Sequence, residues 1–513
     1  MLNKIPVFFN AITRLMDGSL FFRGLTALLN AIKNICAGGF IARAFVADEK
    51  KLEDSINRSF FAAIADEILN GLPKPIKSPT HLGAALSRIF SGSWIINSIC
   101  EGVNAPIPPA DNTIGFGLKQ FFQWVMFILP ALGILTVLFA VPFLPTMWLA
   151  AVLVPIILFT FLSRKFTIDG TAVFLLIFIL ISIIVSYMSF APRASIQIAL
   201  LTAIFIISAL VVVAIATTKK SVDFFILAFV GSAGITGIVG IYQVLAGYRS
   251  DLWLDQELFA DIGNRVVSTF GNPNVYATYL LLAIPITAAC IIFLKHPFLK
   301  LCAFGATGLL LVNLLLTYSR GAYVALALAI GVFVLIIEKR LVVLFIPAVL
   351  ALPLVLPQNI LNRLLSIINF SDTSTIFRMA IWQGSLRMVQ DFWLSGVGQG
   401  LEAFYTVYPY YALAAAGALH AHNMFLQILV EVGIGGFLIF ICILACFFRV
   451  QANFMRQIKD FRLKVMSAAF VSAMIAFLAI SIFDHSFFNF RVMLIFYLFI
   501  GLSVAFARSY NAE

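Results

Sequence analysis

A chain of 513 residues that is 62% hydrophobic and 11% charged is excluded from the water-soluble globular class, whose members run at about 45–50% apolar and about 25% charged. Its mean hydropathy of +1.03 requires that lipid replace water over much of the surface. The net charge of +11 does not indicate nucleic acid, because the basic residues flank apolar runs, where an anionic inner leaflet would meet them.

Residues 1–120 hold apolar clusters such as Ile5, Phe8, Phe9, Ile12 and Met16, broken by charges. No run there reaches the roughly 20 apolar residues that a membrane span needs. With 12 Lys and Arg, this region reads as amphipathic, lying on the cytoplasmic membrane surface. Arg14, Asp17 and Arg23 interrupt the N-terminal apolar stretch too early for a cleaved signal.

From Phe121 onward, apolar runs alternate with short polar loops. The expected fold class is all-α: a polytopic membrane domain over 121–508 with about twelve transmembrane helices. The spans are placed near 122–142, 146–163, 171–189, 196–216, 222–246, 275–294, 300–317, 321–337, 341–356, 424–448, 465–483 and 491–507. Alternate loops carry fourteen basic residues on one side and eight on the other, so the positive-inside rule puts both termini in the cytoplasm. None of the six cysteines falls in an outward-facing segment, and Cys442 and Cys446 read as packing residues of one apolar helix.

The outward set is Arg193, Arg249, Arg265, Arg320, Arg363, Arg378, Arg387 and Arg491, without a lysine. Topology alone would thin both residue types. Arginine differs in offering a planar fork that grips phosphate oxygens in pairs, although snorkelling at the interface is the plainer reading for any one of them. Two outward loops are long, 247–274 and 357–422, and long loops are usually functional. In the second, 359–370 and 375–392 have helical periodicity and read as segments resting on the membrane. Asp251, Asp255, Glu257 and Asp261 make the first loop acidic, which turns it away from an anionic ligand.

Four stretches then carry a resemblance: RVVSTFGNPN from Arg265 to Asn274, TYSRGAY from Thr317 to Tyr323, FRMAIW from Phe377 to Trp382 followed by GVGQG from Gly396 to Gly400, and HAHNMFLQILVEVG from His420 to Gly433. In this order they resemble the O-antigen ligase and O-antigen polymerase superfamily of bacterial cell-surface polysaccharide enzymes, over roughly 120–505. The resemblance implies a glycosyltransferase of the bacterial inner membrane, with its site on the extracytoplasmic face. It would be inverting and metal-independent, and would need no cofactor. The donor would be an undecaprenyl-diphosphate-linked glycan and the acceptor a hydroxyl of a lipid or glycan, as in assembly of lipopolysaccharide and other envelope polymers. Carried over residue by residue, Arg265, Arg320 and Arg378 would hold the diphosphate and His422 would be the base.

The residues suit that chemistry in their own right. A glycosyl diphosphate is already activated, so fixed cations aimed at the departing group and a base for the incoming hydroxyl suffice. No outward Asp-x-Asp metal motif appears. His420 rivals His422 as the base, Asp484 can orient the base or the acceptor, and Arg387 is a further accessory candidate. His485, Asn489 and Arg491 follow Asp484 in the same loop. If the helix after the histidines is already regular at His422, Gly433 returns to within roughly 20° of it and Glu431 lies roughly opposite. Glu431 then reads as a buried structural carboxylate, and Gly433, Gly435 and Gly436 as sites of close helix packing. Tyr405, Tyr408, Tyr410 and Tyr411 read as an aromatic belt that can also face sugars. The alternative from another class is a transporter or flippase for lipid-linked oligosaccharide or another anion. Transporters place ionisable groups near the midplane at interrupted helices, whereas the spans here are nearly free of charge.

Overall fold

The computed structural model describes residues 118–164, 166, 169–248, 265–338, 340, 361, 373–413 and 417–511. Among these the protein is all helical. In chain order the helices are α1 (Leu118–Ala140), α2 (Thr146–Ser163), α3 (Gly170–Tyr187), α4 (Pro192–Ile215), α5 (Lys219–Leu245), α6 (Pro273–Phe293), α7 (Pro297–Leu316), α8 (Arg320–Glu338), α9 (Thr373–Phe392), the short α10 (Leu401–Val407), α11 (Met424–Gln457), α12 (Phe461–Ile480) and α13 (Phe490–Asn511). Ten of them, α2–α8 and α11–α13, are long and apolar enough to cross a membrane. With α1 they account for eleven of the twelve expected spans. The twelfth, 341–356, lies outside the described residues, as do residues 1–117 of the 1–120 extension, the acidic stretch 251–264 and, save 361, the segment 359–370.

Polar side chains start the helices where the sequence supplies them. Asp169 caps α3, Thr218 and Ser221 form a reciprocal capping box on α5, and Asp460 caps α12. Asn272 caps α6, with Pro273 at its first position. The core is centred on α13, whose apolar window is 89% buried against 22% for α7 and α8. Phe470, Phe499 and Phe506 pack as tilted and edge-on pairs inside it. Close approach of α13 to α4 depends on Gly501, where a Cβ would stand 2.5 Å from the Ala209 carbonyl oxygen. Cys446 is buried and Cys442 half-buried along α11, neither in a disulfide, in keeping with a packing role.

Two expectations about α11 need correction. Regular helix begins at Met424, capped by Asn423, so the premise of helical geometry at His422 fails; His422 instead has φ 47°. Gly433 is not a helix-packing glycine either. It sits at φ 66° and ψ −176°, a region essentially confined to glycine, and breaks α11 into an outer and an inner part. The turn between α9 and α10 fills the break. Val397 N donates to Val430 O (2.9 Å), Gly398 N to Glu431 O (3.1 Å), and Ile434 N to Trp393 O (2.7 Å). The backbone groups freed by the break are thus satisfied inside the protein, as a lipid environment demands. Gly435 faces open space, while Gly436 does pack closely, against Val432 and Ile181 of α3.

Candidate functional site

The first motif turns before α6. Gly271 adopts φ 72°, Asn272 caps the helix through Asn274 N and Val275 N, and Asn274 Oδ1 accepts from Arg265 Nη2 at 2.9 Å. Arg265 Nε donates to the Thr317 carbonyl at 2.7 Å, and Val266 N to Leu316 O at 3.0 Å. The TFGNPN stretch therefore lashes Arg265 to the α7–α8 turn. In that turn Tyr318 takes φ 50°, the Tyr323 hydroxyl donates to Leu315 O, and α8 opens at Arg320. Arg320 so adds its charge to the positive end of a helix dipole, an arrangement that attracts anions. Gly321 packs against Ile480 and Phe483, the residue before Asp484.

Asp484, at the end of the turn after α12, faces the histidine segment. Its Oδ1 stands 3.4 Å from His422 Nδ1, with both side chains about a quarter to a third exposed, 26% and 30%. Alignment there falls short of a hydrogen bond. Burial pushes the Asp484 carboxyl up, but His422, His420 and Arg378 outweigh it and hold the group well below the usual carboxylate range. His420 is buried; burial, then His422 and Arg378, lowers its imidazole to about 4 against the opposing pull of Asp484. Burial likewise lowers His485 well below the ordinary range. The rings of His420 and His422 lie 4.1 Å apart and those of His420 and His485 5.5 Å apart. His420 Nδ1 accepts from the His422 backbone N at 3.2 Å, which helps fix the loop at its unusual φ.

Arg378 comes from α9. Its charge acts on both His420 and Asp484. Trp382, one turn further along the same face, donates Nε1 to the His422 carbonyl at 3.4 Å. Arg387 is separated from this group: nine residues on, it lies roughly 180° round the helix and about 14 Å along it, and it is exposed. Arg491 is also occupied elsewhere, with Nη1 donating to Pro142 O and Thr269 O at 2.9 and 3.0 Å and its guanidinium 4.9 Å from the Phe270 ring centre. Asn489 caps α13. Of the tyrosines, Tyr405 and Tyr410 are exposed, whereas Tyr408 is buried and stacks on Phe404, so it belongs to the core of the loop and not to a surface belt. Tyr411 donates to Asp391 at 2.6 Å.

Glu431 is buried and bonded, as its sequence position suggested, but its partners give it a sharper role. Oε1 accepts from Gly400 N (3.1 Å) and Gln427 Nε2 (2.9 Å), and Gln427 Oε1 accepts from Ala421 N (2.7 Å). Glycine turn, broken helix and histidine segment are tied together through this one carboxylate. Sequence reasoning missed the tie because it assumed an unbroken helix. The Gly run and the Gln-x-x-x-Glu spacing were the signals available.

His420, His422 and Asp484 also present ligand atoms within 4.8 Å of one another, close enough to hold a divalent cation. The neighbouring Arg378 charge opposes a cation there. The same arrangement can instead remove a proton at His422 while the arginines receive an anion.

No curated protein matches the chain. Residues 305–441 match the O-antigen ligase family, a stretch that contains Arg320, Arg378, His420, His422 and Glu431 and omits Arg265 and Asp484. Over that stretch the chain is similar to the O-antigen ligase family, in line with the resemblance its four motifs carry to the O-antigen ligase and polymerase superfamily.

Proposed function

We propose that the protein transfers a glycan from an undecaprenyl-diphosphate carrier to an acceptor hydroxyl at the extracytoplasmic face of the bacterial inner membrane. The observation that carries this is the His422–Asp484 pair under the charge of Arg378, with His422 and Arg378 inside the stretch that matches the O-antigen ligase family. His422 directs Nδ1 to Asp484, leaving Nε2 to take the acceptor proton. The acceptor oxygen then attacks the anomeric carbon from the face opposite the diphosphate. A new C–O bond forms as the bond to the diphosphate oxygen breaks, so the anomeric configuration inverts. Undecaprenyl diphosphate leaves with its negative charge, received by Arg265, Arg320 and Arg378. Fixed cations of this kind stabilise a departing anion without reorganising during the step, and Asp484 stabilises the imidazolium that His422 becomes.

The test is reconstitution of the purified full chain with lipid-linked repeat units and no other acceptor. Chain growth identifies a polymerase. Transfer that appears only when a lipid-linked core saccharide is added identifies a ligase. Absence of transfer with both refutes the proposal.

A transporter reading gains one observation, since α11 is interrupted beside a buried Glu431. Transporter interruptions leave backbone groups for the cargo or coupling ion. Here the turn at Gly396–Gly398 consumes those groups, which favours the transferase.

A further inference from the structure

A cavity of about 290 Å³ lies at the site end of the bundle between α4, α11, α13 and the glycine turn. It is near the lower limit for small-molecule sites, which run about 300–1,000 Å³. His485 lines it, whereas His420, His422 and Asp484 do not. Its walls run from Ala194 to Thr202 on α4 and from Phe490 to Tyr497 on α13, a depth of about 10–12 Å at helical rise. Gln197 and Glu402 are exposed, and they mark the mouth.

Three properties of the walls restrict what fits. First, the lining residues include the carboxylates Glu402 and Glu431 but neither Lys nor Arg. A phosphate would find no cation here and the exposed carboxylate of Glu402 beside it, so the diphosphate belongs with the arginines and not here. Second, two lining side chains more than nine-tenths buried, Gln399 and His485, each keep a polar atom with no hydrogen-bond partner in the protein: Gln399 Oε1 and His485 Nδ1. Buried polar atoms are normally satisfied, and leaving one unpaired costs about 1–3 kcal/mol. Both atoms are closed to solvent as the side chains stand, and a turn of either side chain toward the cavity would let a hydroxyl-bearing ligand satisfy it. Third, Phe487, Phe488, Phe490 and Tyr497 also line the cavity, offering flat apolar faces that suit the C–H faces of a sugar ring.

We propose that this cavity is the acceptor subsite, holding an uncharged, hydroxyl-bearing saccharide ring while the hydroxyl to be glycosylated reaches His422. This rests on the transferase reading above and adds to it a site for the acceptor separate from that for the donor. Gln399 accepts from one ring hydroxyl and His485 exchanges a hydrogen bond with another. Selection is then against acidic acceptor sugars at this position, because the lining holds carboxylates and no cation.

The test uses the purified full chain in nanodiscs and radiolabelled uncharged saccharides: monosaccharides, disaccharides and the oligosaccharide released from the lipid-linked repeat unit. Saturable binding of at least one is expected, weakened at least tenfold in Ala194→Trp, which narrows the mouth, with donor binding by the same variant unchanged. A benzoylphenylalanine installed at exposed Gln197 should photocrosslink the saccharide, competed by unlabelled ligand. This arm covers the case in which the tryptophan variant fails to fold. No saturable saccharide binding, or crosslinking of the lipid donor in place of the saccharide, overturns the subsite. Saccharide binding with no transfer in the reconstituted assay retains the subsite and refutes the transferase, so the two failures are distinguishable.

Discussion

Alanine at Gly433 and alanine at Gly435, two residues apart on α11, should have opposite effects. At Gly433 a Cβ would stand 2.4 Å from the Leu394 carbonyl oxygen and 3.1 Å from Gly396 N, at φ 66° and ψ −176°. Holding a non-glycine residue in that backbone region costs about 1–3 kcal/mol. Relieving the clash moves the turn that makes the Val397, Gly398 and Ile434 backbone hydrogen bonds, each contributing about 1 kcal/mol. We therefore expect Gly433→Ala to destabilise by about 3 kcal/mol or more, combining the strain and part of the hydrogen-bond loss. At Gly435 the added methyl meets nothing within 4 Å on a helical backbone, so Gly435→Ala should be neutral or stabilising by up to about 1 kcal/mol. The assay is reversible unfolding of the full chain in SDS–detergent mixtures, with glycan transfer measured in parallel. Because Glu431 and Gln427 connect the same turn to Ala421, Gly433→Ala should also lower turnover at a temperature where the protein is still folded. Equal unfolding midpoints for the two variants would refute the account of the helix break.

His422→Ala should lower turnover by roughly 10²–10⁴-fold, the usual contribution of general-base catalysis. Asp484→Asn should cost roughly 10² with little change in donor KM, less than the loss of about 10⁴ for the equivalent change in serine proteases, because the His422 contact is long and partly solvated. Arg320→Lys and Arg378→Lys keep the charge but lose the fork, and each should cost about 10²–10³ in kcat; wild-type kcat in both would remove the arginines from the diphosphate site. His420 and His485 are held neutral in the fold and charge more readily when unfolded, so the unfolded chain binds more protons. Their contribution is present above about pH 6.5 and should be lost as pH falls toward about 4, where His420 itself titrates. His420→Gln should flatten the dependence of the unfolding midpoint across that window, and an unchanged slope would contradict the assignment. Transfer abolished by a chelator and restored by one divalent cation would convert the His420–His422–Asp484 group into a metal site.

The membrane architecture was legible from apolar run length alone, because a span must be long, apolar and bounded by charges whatever it packs against. The four motifs were legible for a different reason: each writes local backbone geometry, such as Gly271 and Pro273 at the start of α6 or the Tyr318 turn before Arg320. What periodicity hid was the break at Gly433, since a single interrupted residue leaves the apolar pattern of α11 intact on both sides. The angular argument about His422 and Glu431 failed with it. Arg387 was indistinguishable from Arg378 by composition, and only the helix phase separates them. The partnership of Asp484 with His422 crosses 62 positions and two helices, which no local pattern reports.

Arg265 has a consequence of its own. Two of its five donors are committed to Thr317 O and Asn274 Oδ1, so the guanidinium is fixed in plane and in height. On the function proposed above, such a group cannot travel with the leaving anion, so a carrier headgroup has to come to it and depart from it. A stationary receptor gauges the diphosphate and its first sugar rather than the polyprenyl tail, so carriers shortened by several isoprene units should be used with nearly the same kcat.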